Sequence, residues 1–180
     1  FDDAEKAHAV RAIVADVREN GDKALFSYCK KFDGSALTAQ TVRVSEEEFA
    51  AAYKAVDKEL LSSLQKAVHN VYEYHRRSPK AEDIRTEGGR TTGYTVRPVE
   101  RAGIYVPGGT APLVSTVLMG VLPAKAAGVE HIYMCTPAKE GKVDPAVLVA
   151  AKECGAEAVF KAGGAQAIAA LAYGTQSVPK

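Results

Sequence analysis

Apolar residues recur at helical spacing from Val10 to His75, and four amphipathic helices follow from them. Val10, Ile13, Val14 and Val17 fall at i, i+3, i+4 and i+7, a single stripe that stops at Gly21. Leu25, Tyr28, Cys29 and Phe32 make the next stripe, which ends at the turn pair Asp33-Gly34. A third helix opens on the capping box Ser45 to Glu48 and continues through Phe49, Ala52, Tyr53 and Val56. Asp57 caps a fourth, with Leu61, Leu64, Val68, Val71, Tyr72 and His75 on one side, until Ser78-Pro79 forbids continuation. The pattern then changes to two β-rich runs, Ile84 to Glu87 and Thr91 to Val96, joined by Gly88-Gly89, which predicts a hairpin.

From Arg101 the texture is strand, loop, helix, repeated. Gly103 to Val106 reads as a short buried strand broken by Pro107-Gly108-Gly109, and Leu113 to Ala127 as a helix closed by Gly128. His131 to Cys135 is a second strand. Asp144-Pro145 then opens a helix that reaches Cys154. Val159-Phe160 marks a third strand, followed by Gly163-Gly164 and a helix from Ala165 to Tyr173. This alternation predicts an α/β chain: an N-terminal helical segment plus β-hairpin over 1–100, then an incomplete Rossmann-like parallel α/β domain over 101–180. Ligands in such sheets bind at the carboxyl ends of the strands.

Composition narrows the function class. With 47% hydrophobic and 25% charged residues among 180, the chain is an ordinary globular one, and disorder, collagen and coiled coil are excluded. Lys plus Arg number 23 against 22 for Asp plus Glu, so no basic surface is implied and no nucleic-acid partner is expected. The longest apolar stretch, near Leu113 to Val121, is interrupted by Ser115, Thr116 and Gly120, and no charged-then-apolar leader opens the chain, so neither membrane nor secretion is expected. Three scattered cysteines, Cys29, Cys135 and Cys154, argue against a disulfide framework or a thiolate zinc site and fit a reducing cytoplasm. An opening at Phe1 and a close at Pro179-Lys180 lead us to expect a piece of a longer protein.

Two glycine loops stand at predicted strand ends, Tyr105 to Gly109 and Ala162 to Gln166. Glycines there let the backbone approach a ligand, with helix N–H groups and a positive dipole end behind them. They also make tight turns without any ligand, and the loops alone leave both readings open. Neither Gly-x-Gly-x-x-Gly nor a Walker pattern is present. His69 and His75 are six apart and do not share the face on which zinc ligands sit, while His8 and His131 stand alone. The cysteines read as small hydrophobes, and Glu46-Glu47-Glu48 as a charged first helical turn.

The run Gly103-Ile104-Tyr105-Val106-Pro107-Gly108-Gly109-Thr110-Ala111-Pro112-Leu113, continuing through Ser115 to Met119, resembles the histidinol dehydrogenase family. So does Gly163-Gly164-Ala165-Gln166-Ala167-Ile168-Ala169-Ala170-Leu171-Ala172-Tyr173-Gly174-Thr175 with Ser177 to Lys180. Weaker agreement at Gly21 to Leu25 and Lys31 to Asp33 extends the likeness over the chain. The resemblance implies the two-step oxidation of L-histidinol to L-histidine in histidine biosynthesis, with NAD as oxidant and a zinc ion gripping the substrate. It places Tyr105 and Gln166 on NAD, with Phe32 and Pro107 near it. In the family a Gly-Pro-Gly-Asn loop, the zinc ligands and the glutamate-histidine acid/base pair follow the position of Lys180. No catalytic or metal-binding residue is therefore expected in these 180 residues, which alone should be inactive. The resemblance also implies a homodimer. Two alternatives are a family branch that oxidises another polar alcohol such as sulfopropanediol, and a non-catalytic nucleotide-binding or assembly module.

Overall fold

The computed structural model describes residues 3–77, 82–108 and 112–180. The four expected helices are α1 (Asp3–Asn20), α2 (Asp22–Asp33), α3 (Glu46–Ala55) and α4 (Lys58–Arg76). The capping box at α3 forms as its sequence requires: the Ser45 N–H donates to Glu48 Oε2 at 2.9 Å, and the Glu48 N–H donates to Ser45 Oγ at 3.3 Å. At α4 the Leu60 N–H donates to Asp57 Oδ1 at 2.7 Å. Ser78-Pro79, the expected end of that helix, lies outside the described residues.

The hairpin pairs β1 (Asp83–Glu87) with β2 (Arg90–Tyr94), and Glu87 faces Arg90 across Gly88-Gly89. Both turn glycines have positive φ, 56° and 77°, the twist a two-residue hairpin turn demands. Strand β2 stops at Tyr94, two residues short of the expected Val96. Both strands are exposed almost throughout, so nothing holds the apolar alternation at Val96 in a ladder.

After the hairpin come β3 (Arg101–Tyr105), α5 (Val114–Ala127), β4 (His131–Thr136), α6 (Pro145–Cys154), β5 (Ala158–Lys161) and α7 (Gly164–Tyr173). The strands form one parallel sheet in the order β3-β4-β5, and the fold is α/β. Alternation along the strands sends side chains to opposite faces. Ile132, Met134 and Val159 join a core with α3, α4, α5 and α6, whereas Tyr133, Cys135, Ala158 and Phe160 join one with α1, α2 and α7. The sheet is thus buried on both faces, as parallel sheets are. Crossovers through α5 and α6 carry the chain one way across the sheet, and both helices pack into the same core. Helix α7 lies on the other face and runs back beneath β3, where Leu171 meets Gly103.

Residues 42–44, which no sequence pattern marked as a strand, cover the β5 edge. The Val44 N–H donates to the Val159 carbonyl at 2.9 Å, and the Lys161 N–H to that of Val42 at 2.7 Å. An unpaired edge is a template for unwanted pairing, so this short antiparallel segment closes it. Beside it Lys161, only 5% exposed, places its ammonium 2.8 and 2.9 Å from the two carboxylate oxygens of Glu48. That ion pair ties the start of α3 to the end of β5. Among the described residues no helix is long and apolar enough to cross a membrane.

Candidate functional site: the carboxyl ends of the strands

Three loops meet where the strands end: Val106-Pro107-Gly108 after β3, Pro137-Ala138 after β4 and Ala162-Gly163 after β5. The first two border an open cleft of about 610 Å³ whose lining includes Asp33, Pro107, Gly108, Pro137, Lys139 and Asp144, and the third reaches it through the bond from the Gly163 N–H to Asp33. A smaller hollow of about 330 Å³ lies against Ile104, Tyr105, Thr116 and Met119. This is the place a parallel α/β sheet reserves for a ligand.

The loops are packed to the limit of what glycine permits. A Cβ at Gly163 would stand 2.6 Å from Pro137 Cβ and 3.0 Å from Asp33 Oδ1, so only hydrogen fits between the β4 loop and the end of α2. Gly164 adopts φ +61°, a conformation that side chains resist, and its N–H donates to the Tyr105 hydroxyl at 3.1 Å. Gln166, in the first turn of α7, is 1% exposed. A Cβ at Gly164 would lie 2.8 Å from its Oε1, so the carboxamide is folded back against the glycine pair. Its Nε2 is buried without a hydrogen-bond partner among the described residues. A buried amide donor left open is costly, which makes this atom the strongest sign of a missing acceptor in the site.

The structure therefore brings Tyr105 and Gln166 to the same glycine pair, sixty-one residues apart in sequence. Pro107 lines the larger cleft. Phe32 does not: its ring stands 53% exposed at the end of α2, stacked at 5.7 Å on Tyr28 with the Lys31 ammonium 5.2 Å from its centroid. The neighbouring residue reaches the site instead. Asp33 Oδ2 accepts the Gly163 N–H at 3.2 Å. Burial holds its carboxyl above the usual carboxylate range, against the pull of the Gly163 N–H and the Cys29 thiol that donate to it. Ser35 anchors the same segment, its hydroxyl donating to the Ala138 carbonyl at 2.7 Å and accepting the Gly141 N–H at 3.0 Å. Sequence reasoning missed both contacts, because each spans more than a hundred residues and no local pattern announces it.

Other chemistry is displaced from the cleft. Burial pushes the Cys29 and Cys154 thiols up to about 12 and Cys135 upward as well, so none is primed as a nucleophile. His131 sits at the amino end of β4, its Nδ1 2.7 Å from Glu157 Oε2. His8 lies on α1, and His69 and His75 lie on α4. Among the described residues no three His, Cys, Asp or Glu side chains gather to hold a metal ion.

Comparison with known proteins bears on this geometry. The family model described as histidinol dehydrogenase matches residues 1–180. The chain is 50% identical over 173 residues to the histidinol dehydrogenase of Bacillus thuringiensis subsp. konkukian, covering 96% of this chain and 40% of that one. It is 46% identical over 180 residues to that of Caldanaerobacter subterraneus subsp. tengcongensis, covering 100% of this chain and 42% of its relative. The crystal structure of histidinol dehydrogenase from Elizabethkingia anophelis superposes with a TM-score of 0.89 at 40% identity, covering 97% of this chain and 40% of that chain. The chain thus spans about two fifths of the length of the curated relatives it matches.

Proposed function

Because the chain belongs to the histidinol dehydrogenase family, we propose that it is the cofactor-cradling portion of an NAD- and zinc-dependent enzyme that oxidises L-histidinol to L-histidine in two steps. The observation that carries this proposal is the Gln166 amide, 1% exposed and lacking an acceptor, folded against a glycine pair at a strand's carboxyl end. A dinucleotide fits that arrangement. Gly164 stands exposed without a side chain, so a phosphate or ribose could approach its backbone at the start of α7.

The chemistry NAD would supply when bound is acceptance of the hydride in alcohol oxidation. This chain's own share is positional. Tyr105, its hydroxyl tied to the Gly164 N–H, offers a flat apolar wall, and Gln166 Nε2 offers a donor. Pro107 stiffens the far lip of the cleft. Holding the cofactor in one pose converts a bimolecular encounter into an oriented one, the part of catalysis these residues can supply. The described residues offer no cluster of three His, Cys, Asp or Glu that fits zinc, and the proposal takes the zinc ligands and the acid/base pair from the family resemblance, which puts them outside these 180 residues. The same proposal includes an incomplete dinucleotide-binding unit from about residue 101, a homodimeric parent and a cytoplasmic setting.

The test is NADH formation from L-histidinol by the full-length protein with zinc, then with a chelator. Histidinol-dependent, chelator-sensitive turnover is expected, and none from residues 1–180 alone. Turnover with a different polar alcohol and not with L-histidinol would transfer the proposal to a sister branch of the family. Absence of any turnover or NAD binding by a folded, zinc-loaded protein would reject an enzymatic role.

A further inference from the structure

Asp33, Glu140 and Asp144 line the cleft, and of these Asp33 is the one that is partly buried. Asp33 ends α2, a helix outside the sheet, yet its side chain lies where β4 and β5 end: Oδ2 accepts the Gly163 N–H, and Pro137 closes on Gly163 from the other side. Among the described residues no Lys, Arg or His forms an ion pair with it. The cation-bearing side chains that share its cleft, Lys139 and Lys142, stand exposed on the turn after β4 together with Glu140 and Asp144. The segment is held in place, because Ser35 is fastened to Ala138 and Gly141 of that turn.

Parallel α/β sheets that bind NAD read the adenosine ribose with a carboxylate at the end of the second strand. In this sheet the second strand, β4, ends in Thr136-Pro137 and carries no carboxylate there. Helix α2 delivers one to the same place from outside the sheet. Gly163 and the Cys29 thiol engage the carboxylate from within the protein, and two oxygens with about four acceptor positions leave it capacity for a further donor from a ligand.

Resting on the proposed NAD site, we propose that Asp33 accepts a hydroxyl of the adenosine ribose and so selects NAD over its 2′-phosphorylated form. A ribose diol brings donors to the carboxylate. A 2′-phosphate brings negative charge and no strong donor to the same point, and without Asp33 the nearby Lys139 and Lys142 would receive it favourably.

Isothermal titration of the full-length, zinc-loaded protein with NAD and with NADP tests this without turnover. The unmutated protein is expected to bind NAD about a hundredfold or more tighter than NADP, and Asp33→Asn and Asp33→Ser are each expected to shrink that ratio at least about tenfold, the worth of one charged hydrogen bond. A second measurement needs no variant: NAD lacking the adenosine ribose hydroxyls is expected to bind about tenfold weaker to the unmutated protein. An unchanged NAD/NADP ratio in variants with the normal circular dichroism spectrum overturns the assignment, even if both cofactors weaken together, since Asp33 would then only hold Gly163. Equal binding of NAD and NADP by the unmutated protein overturns it too and leaves the NAD site standing. If the unmutated protein fails to bind NAD, the site itself falls and the assignment with it.

Discussion

Replacing Gly163 by alanine tests the tightest junction of the site. The residue has φ −112°, which any amino acid adopts, so the substitution carries no backbone strain and its whole effect is steric. The added Cβ would sit 2.6 Å from Pro137 Cβ, against a carbon-carbon optimum of about 3.5–4.0 Å. Pro137 cannot rotate away, because its ring is part of the backbone. Relief must come from opening the β4 and β5 loops, which would also stretch the 3.2 Å bond from the Gly163 N–H to Asp33. Overpacking of this kind costs about 1–3 kcal/mol, and the lost charged hydrogen bond falls in a similar range. We expect Gly163→Ala to lower the stability of the full-length protein by about 2–4 kcal/mol in urea unfolding followed by circular dichroism, and to weaken NAD binding as the loops part. Gly34→Ala is the control. Nothing lies within 4 Å of its added Cβ, so only its φ of +66° costs anything, about 1 kcal/mol. Equal, small losses in the two variants would refute the claim that the β4 loop and the end of α2 close on Gly163.

Two further perturbations separate buried from exposed chemistry. Lys161→Ala leaves Glu48 facing a partly buried gap and should cost about 1–3 kcal/mol, while Lys152→Ala, which breaks the exposed pair with Glu46 and a cation–π contact with Phe49, should cost about 1 kcal/mol or less in the same unfolding assay. The thiols give a pH signature. Cys29 and Cys154 move from 9.0 to about 12 on burial, so in the folded state each keeps its proton where the unfolded chain has lost it. Their contribution to stability is complete below pH 9 and is lost as pH rises from 9 toward 12. Unfolding curves should weaken across that window, less so in Cys29→Ala combined with Cys154→Ala. At pH 8 iodoacetamide should leave all three cysteines of the folded protein untouched and modify all three in urea, because the buried thiolate fraction is about one in ten thousand.

Much of the fold was legible because each signal was local. The stripe through Val10 and Val17, the Ser45 capping box and the Asp144-Pro145 start all act within a few residues, and each produced its helix. The strand-helix alternation after Arg101 likewise gave the parallel sheet. What stayed hidden depends on contacts distant in sequence. Val42 and Val44 look like loop residues until β5 lies beside them, and Asp33 looks like half of a turn pair until Gly163 arrives from the far end of the chain. The candidate site residues rest on the family resemblance, since two glycine loops alone fit an empty turn as well as a bound cofactor. Phe32 and Asp33 are neighbours with different surroundings: the Phe32 ring stacks on Tyr28, and Asp33 lines the cleft.

The crystal structure of the full-length protein with NAD tests the central claim most directly. The account predicts dinucleotide density in the cleft at the strand ends, with an acceptor atom of the cofactor within hydrogen-bond reach of Gln166 Nε2 and the Tyr105 ring against it. Dinucleotide density elsewhere, with Gln166 Nε2 still lacking a partner, would contradict it.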